Sequence, residues 1–111
     1  MKNIILMSLM FVLVGCSKNQ NPVDQASGKK YCESLDSLST SAMTARQKGV
    51  ALIEVLKMAD TVEGAEDQKK YVQIIIKQAF AETRYSSPEY QAKAITDFRN
   101  KIYLDCINKY V

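Results

Sequence analysis

Apolar residues are arranged along this chain in two different ways. Ile4 to Val14 is a nearly unbroken apolar run, interrupted only by Ser8. Ser17 to Lys29 is then polar, carries Pro22 and Gly28, and has almost nothing to bury. From Lys30 onward apolar residues recur at helical spacing. Leu35, Leu38, Ala42, Ala45, Gly49, Leu52, Leu56 and Ala59 alternate by three and four positions, and Cys32 extends the series backward. That is an a/d seam, the mark of a helix packed in a bundle. A second helix is predicted over about Glu66 to Glu82. Its stripe is Val72, Ile75, Ile76, Ala79 and Phe80, with Lys69, Lys70, Gln73 and Lys77 on the wet face. Glu63, Glu66 and Asp67 sit where they complement the positive end of its dipole. Ser87-Pro88-Glu89 starts a third helix, with Ser as cap, Pro at the first helical position and an acid behind it. It runs to about Lys109 and carries Ala94, Ile95, Phe98, Ile102 and Cys106 on one face, widened by Tyr103, Ile107 and Tyr110. No strand-like alternation and no internal repeat is evident.

The first run needs a different explanation. It is too short for a stable membrane span, which takes about 20 residues, and it follows Lys2. Those are the features of a signal-peptide core. Its end, Leu13-Val14-Gly15-Cys16, resembles the lipobox of bacterial lipoproteins position by position. The resemblance covers the first 16 residues. It implies cleavage before Cys16, a diacylglycerol on its sulfur and a fatty acyl group such as palmitate on the new amine. Several acyl chains, at about 0.8 kcal/mol per buried methylene, make such an anchor effectively permanent. Ser17, where an Asp would imply inner-membrane retention, points to the outer membrane of a Gram-negative envelope, on its periplasmic face. The chain then divides into a signal peptide over 1–15, a lipidated Cys and flexible tether over 16–29, and a helical domain over 30–111.

With Cys16 assigned to lipid, Cys32 and Cys106 remain, one near each end of the folded part. An exported compartment is oxidising, so a structural disulfide is expected between them. A plain up-down-up bundle of three helices would hold these two residues at opposite ends, whereas a disulfide needs their Cα atoms within about 7 Å. Either the Lys30–Thr61 segment bends sharply, giving four helical pieces, or the later helices meet at a wide angle. A break near Arg46–Gly49 is favoured, because Gly costs about 1 kcal/mol relative to Ala inside a helix. The hydroxyl-rich Ser37–Ser41 stretch is the second candidate. The regularity of the seam argues against both. The fold expected is all-α, a small three- to four-helix bundle stapled by one disulfide.

Composition removes several functions. The chain has no His and no Trp, which excludes Ser-His-Asp and Cys-His catalysis and His metal sites. There is no C-x-x-C, so neither a redox motif nor a metal site is expected from the cysteines. Removing residues 1–15 leaves 96 of 111 residues; the leader holds one of 15 Lys+Arg and none of 12 Asp+Glu, so the mature chain carries 14 against 12, a net +2. That charge, without basic runs interleaved with aromatics, does not indicate nucleic acid. No cofactor is expected.

Few side chains remain as candidates. Arg46-Gln47-x-Gly49 is the most unusual local feature. Gly49 allows close backbone approach, and Arg46 there can bond helix-end carbonyls or a partner. Together with Tyr85, Phe98 and Cys106, this string resembles small uncharacterised all-helical envelope proteins of proteobacteria, a resemblance that brings no activity with it. Arg84, Tyr85 and Tyr90 cluster around the turn before the third helix, and Tyr and Arg are favoured at binding hot spots. A turn tyrosine also often just covers the core edge with its hydroxyl in water. Glu33 with Asp36, Glu54, Glu82 with Glu89, and Asp97 with Asp105 read as solvated helix faces rather than acid–base pairs. The expected function is therefore not enzymatic. It is a lipid-anchored interaction module that binds another envelope protein; the alternative is an immunity or exclusion lipoprotein that neutralises a periplasmic toxin or an incoming phage.

Overall fold

The computed structural model describes residues 22–61 and 64–111 of the chain. The expectations for the leader, the lipobox, Cys16, Ser17 and the first part of the tether fall outside those residues. Four helices follow in order: α1 (Pro22–Gln47), α2 (Leu52–Ala59), α3 (Glu66–Phe80) and α4 (Pro88–Tyr110). No described helix is long and apolar enough to cross a membrane.

The four pieces run up, down, up and down. Antiparallel pairing of α1 and α4 follows from Gly28 against Tyr110, Cys32 bonded to Cys106, and Asp36 paired with Arg99. α3 runs parallel to α1, with Arg46 lying over the Phe80 ring at the far end. This topology resolves the cysteine problem. An even number of passes returns the chain to its starting end, so the Cys32 and Cys106 Cα atoms lie 5.6 Å apart across 74 residues of sequence. Met43, Ile75, Ile76, Phe98 and Ile102 fill the centre between α1, α3 and α4, with both cysteines fully buried beside them.

The break falls at Gly49, and its geometry explains why. Gly49 has φ +81°, a left-handed conformation that Gly adopts without the steric penalty of a Cβ. Its N–H donates to the Arg46 carbonyl at 3.1 Å, and the Val50 N–H donates to the Ala45 carbonyl at 3.0 Å. These are the two bonds of a Schellman motif, which satisfies the last carbonyls of a helix and turns the chain away. The serine-rich stretch does not break α1. Ser39 and Thr40 both donate to the Asp36 carbonyl at 2.9 Å. Their hydroxyls thus bond within the helix instead of competing with it.

Two sequence expectations are corrected. The tether was expected to extend to residue 29, but α1 begins at Pro22. Pro is well suited to the first helical position, where its missing N–H leaves no orphan. Contact with the end of α4 supports the added turns. The bare Cα of Gly28 lies against the Tyr110 carbonyl, where no Cβ would fit, and the Tyr31 and Tyr110 rings meet edge to face at 5.4 Å. The second correction concerns the seam. It is continuous only to Ala45, and beyond Gly49 its next member, Leu52, is exposed.

Candidate functional site

At the end of the bundle opposite the cystine, the turn after α1 is bound to the turn between α3 and α4. Gln47 makes most of that connection. It is 2% exposed, its Nε2 donates to the Thr83 carbonyl at 2.8 Å, and its Oε1 accepts from the Tyr85 N–H at 2.8 Å. One primary amide thus satisfies a donor and an acceptor of the same turn, which a carboxylate or a hydrocarbon of equal size cannot do. Arg46 Nε donates to the Glu82 carbonyl at 3.0 Å just past the end of α3. Arg84 Nε returns a bond to the Gln47 carbonyl at 3.2 Å. Its guanidinium covers Gly49 so closely that a Cβ there would sit 2.7 Å from Nη2. Gln91 Nε2 donates to the Tyr85 carbonyl at 2.7 Å and ties the turn to α4, while the Ser87 hydroxyl caps α4 by accepting from the Tyr90 N–H.

The four candidate side chains therefore divide. Arg46 is half-buried and bonded to a helix-end carbonyl. Arg84, Tyr85 and Tyr90 lie together on the outside of the clamp, with the two tyrosine rings 5.9 Å apart. The Schellman turn leaves Val50 and Leu52 40% and 38% exposed, with Val50 facing the space between α1 and α2. The seam reading placed Leu52 in the core and left Val50 unnoticed. The missed signal is the order Gln47-Lys48-Gly49-Val50, a helix-stop glycine followed by an apolar residue. Arg84, Tyr85 and Tyr90 thus form an end face of aromatic and guanidinium groups on a turn that is held from behind.

Of the carboxylates, Glu82 and Asp97 line a cavity with Tyr85. Asp36 accepts two bonds from Arg99, at 3.0 Å from Nε and 2.8 Å from Nη2. Asp97 pairs with Lys93 at 2.8 Å, and Glu33, Glu54, Glu82, Glu89 and Asp105 are exposed. Among the described residues no group of three His, Cys, Asp or Glu is placed to hold a metal ion. The Arg99 hydrogen bond, which outweighs the effect of burial, holds the Asp36 carboxyl below its ordinary pKa. A lowered folded-state pKa contributes stability above the unfolded value and loses it as pH falls through the folded one. Asp36→Asn should therefore be less stable than the parent near neutrality, with the gap closing in acid. Urea midpoints of both proteins across that range check this; a gap that stays constant would contradict it.

No protein-family model, curated protein or solved structure matches this chain.

Proposed function

We propose that the protein is a lipid-tethered, non-catalytic interaction module of a Gram-negative envelope, anchored at Cys16 on the periplasmic face of the outer membrane. It holds out the end face formed by Arg84, Tyr85 and Tyr90 to another envelope protein. The observation that carries this reading is the pairing of exposure with rigidity. Tyr85 and Tyr90 are 40% and 57% exposed, yet the Tyr85 backbone is bonded to Gln47 and Gln91 and the Tyr90 N–H to the Ser87 hydroxyl. Aromatic and Arg side chains on a pre-ordered backbone bind with little ordering cost. Position supports the same reading. α1 has 26 residues and rises about 39 Å, which separates this face from the end that joins Cys16.

Photocrosslinking in intact cells tests it. A benzophenone amino acid at Tyr90 or Tyr85 should give one discrete protein adduct, and the same group at Leu104, exposed on another part of α4, should not. The protein extracted from membranes should begin at Cys16 and carry fatty acid. A chain that begins at Met1 without acyl groups removes the anchor, and absence of an adduct from the end face removes the binding surface. If the captured neighbour is a toxin encoded beside this gene, the module is an immunity protein.

A further inference from the structure

Charge is not spread evenly along the bundle. Beyond the cystine, where α1 and α3 begin and α4 stops, Lys29, Lys30, Lys69, Lys70 and Lys109 face Asp24, Glu66 and Asp67, five against three, a net +2. The remaining described residues carry eight Lys or Arg against eight Asp or Glu, a net of zero. The whole net charge of the described bundle therefore sits at one end. None of the five lysines is in an ion pair among the described residues, where the two pairs are Lys93–Asp97 and Asp36–Arg99.

Tyrosines stand among these lysines. Tyr31, Tyr71 and Tyr110 line an open recess of about 390 Å³ with Lys70, Lys109 and Asp67, so the start of α3 lies beside the end of α4. The Lys109 Nζ is 5.6 Å from the centre of the Tyr110 ring. Burial, then Tyr110 and Tyr71, push the Tyr31 hydroxyl above its ordinary pKa, so it stays a neutral donor. Tyrosines and lysines have apolar bodies and polar tips, and such side chains settle at the headgroup level of a bilayer. Position selects lipid over an acidic protein. This is the end that α1 joins to Cys16. Lys29 lies about 11 Å along α1 from Pro22, and the six residues from Cys16 to Pro22 span up to about 20 Å. A chain anchored at Cys16 thus keeps this end, and not the clamp, close to headgroups whose field reaches about 8 Å at physiological salt. We propose that the lysine and tyrosine end of the bundle rests on anionic phospholipid headgroups and turns the Tyr85–Tyr90 face away from the membrane. The proposal rests on the anchoring at Cys16 and adds an orientation to it. Each lysine at such a surface contributes a factor of about five, so two that engage favour this orientation about twenty-five-fold.

Lysine footprinting tests it. The full acylated chain is inserted into preformed vesicles of phosphatidylethanolamine with about a quarter phosphatidylglycerol, and into vesicles of phosphatidylcholine alone. Brief acetylation with a membrane-impermeant reagent is then read by mass spectrometry. Lys29, Lys30, Lys70 and Lys109 should react about tenfold more slowly on the anionic vesicles, and about 1 M salt should remove the difference. Lys48, Lys93 and Lys101 should react equally on both. Lys30 and Lys109 are exposed, so the bundle tolerates changes there. Lys30→Glu with Lys109→Glu should abolish the protection of Lys29 and Lys70, and Lys30→Arg with Lys109→Arg should keep it. If the isolated chain carries no fatty acid, the anchor itself fails, and coupling the Cys16 thiol to a maleimide lipid in the same vesicles still tests the surface. Equal reactivity on both vesicles, protection centred on Lys48, or protection that survives charge reversal overturns the proposal. Protection seen only in isolated envelopes assigns this end to an acidic protein and overturns it too.

Discussion

Removing the Cys32–Cys106 bond should lower the unfolding free energy by about 4 kcal/mol, the chain-entropy cost of freeing a loop of this length. The native partners are 74 positions apart, so the bond constrains nearly the whole domain when it is unfolded. Small domains have about 5–15 kcal/mol of stability in total, and a loss of this size takes a large share. The melting temperature should fall by about 20 °C, at about 4–8 °C per kcal/mol for a domain of this size. Urea titration of the oxidised protein and of Cys106→Ala checks the value. A difference below about 1 kcal/mol would mean that the bridge constrains little in the unfolded chain. The loss should also be uneven. The first turns of α1 meet the last turn of α4 through the cystine, the Gly28–Tyr110 backbone contact and the Tyr31–Tyr110 ring pair. Hydrogen exchange should therefore accelerate first around residues 26–32 and 104–111.

Replacing Gln47 with Leu should cost about 2–3 kcal/mol, although the volume is nearly kept. The Leu side chain packs as well as the amide, but the Thr83 carbonyl and Tyr85 N–H lose their partner. An unsatisfied buried polar group costs about 1–3 kcal/mol, and the exposure of this turn to water holds the sum below two full penalties. Gln47→Glu separates packing from bonding. An ionised carboxylate still accepts from Tyr85 but faces the Thr83 carbonyl with no proton to donate. Burial and that carbonyl raise its folded-state pKa, so its stability should recover as pH falls and the carboxyl protonates. Leu has no such recovery. Denaturation of both variants near neutral and acidic pH distinguishes them, and equal pH responses would mean that the amide does not act as the clamp. Since the end face rests on this bond, both variants should also weaken the crosslink from Tyr90 at neutral pH.

Interaction surfaces are harder to read from a chain than cores are. Arg84, Tyr85 and Tyr90 were legible as a cluster because seven consecutive positions, the turn before α4 and its first residues, carry all three. Val50 and Leu52 were not, since their exposure depends on where α2 goes after Gly49. Arg46 could be assigned to a helix-end carbonyl or to a partner, and the Glu82 carbonyl 3.0 Å away accounts for its hydrogen bond. Gln47 is instructive, because the Arg46-Gln47-x-Gly49 string names it without giving it a role. A glutamine in a helical pattern looks like surface, and its value appears only when a turn 36 positions later comes within 2.8 Å.

Residue order alone carries local information. The stripes of α3 and α4, the Ser87-Pro88 cap and the helical class of the chain follow from spacings within one or two turns. The requirement that the two cysteines meet left two solutions open, a fourth helical piece or a wide angle between the later helices. Packing between helices settles how far α1 extends, where the seam stops being core, and which polar side chains are bound internally. Each of those depends on contacts between residues far apart in the chain: Gly28 with Tyr110, Gln47 with Thr83 and Tyr85, and Asp36 with Arg99. A periodicity shows that a face is apolar, but covering that face takes a neighbour of sufficient length. The eight residues of α2 are too few to close the seam of α1, and the space beside Leu38 between the two helices is the consequence.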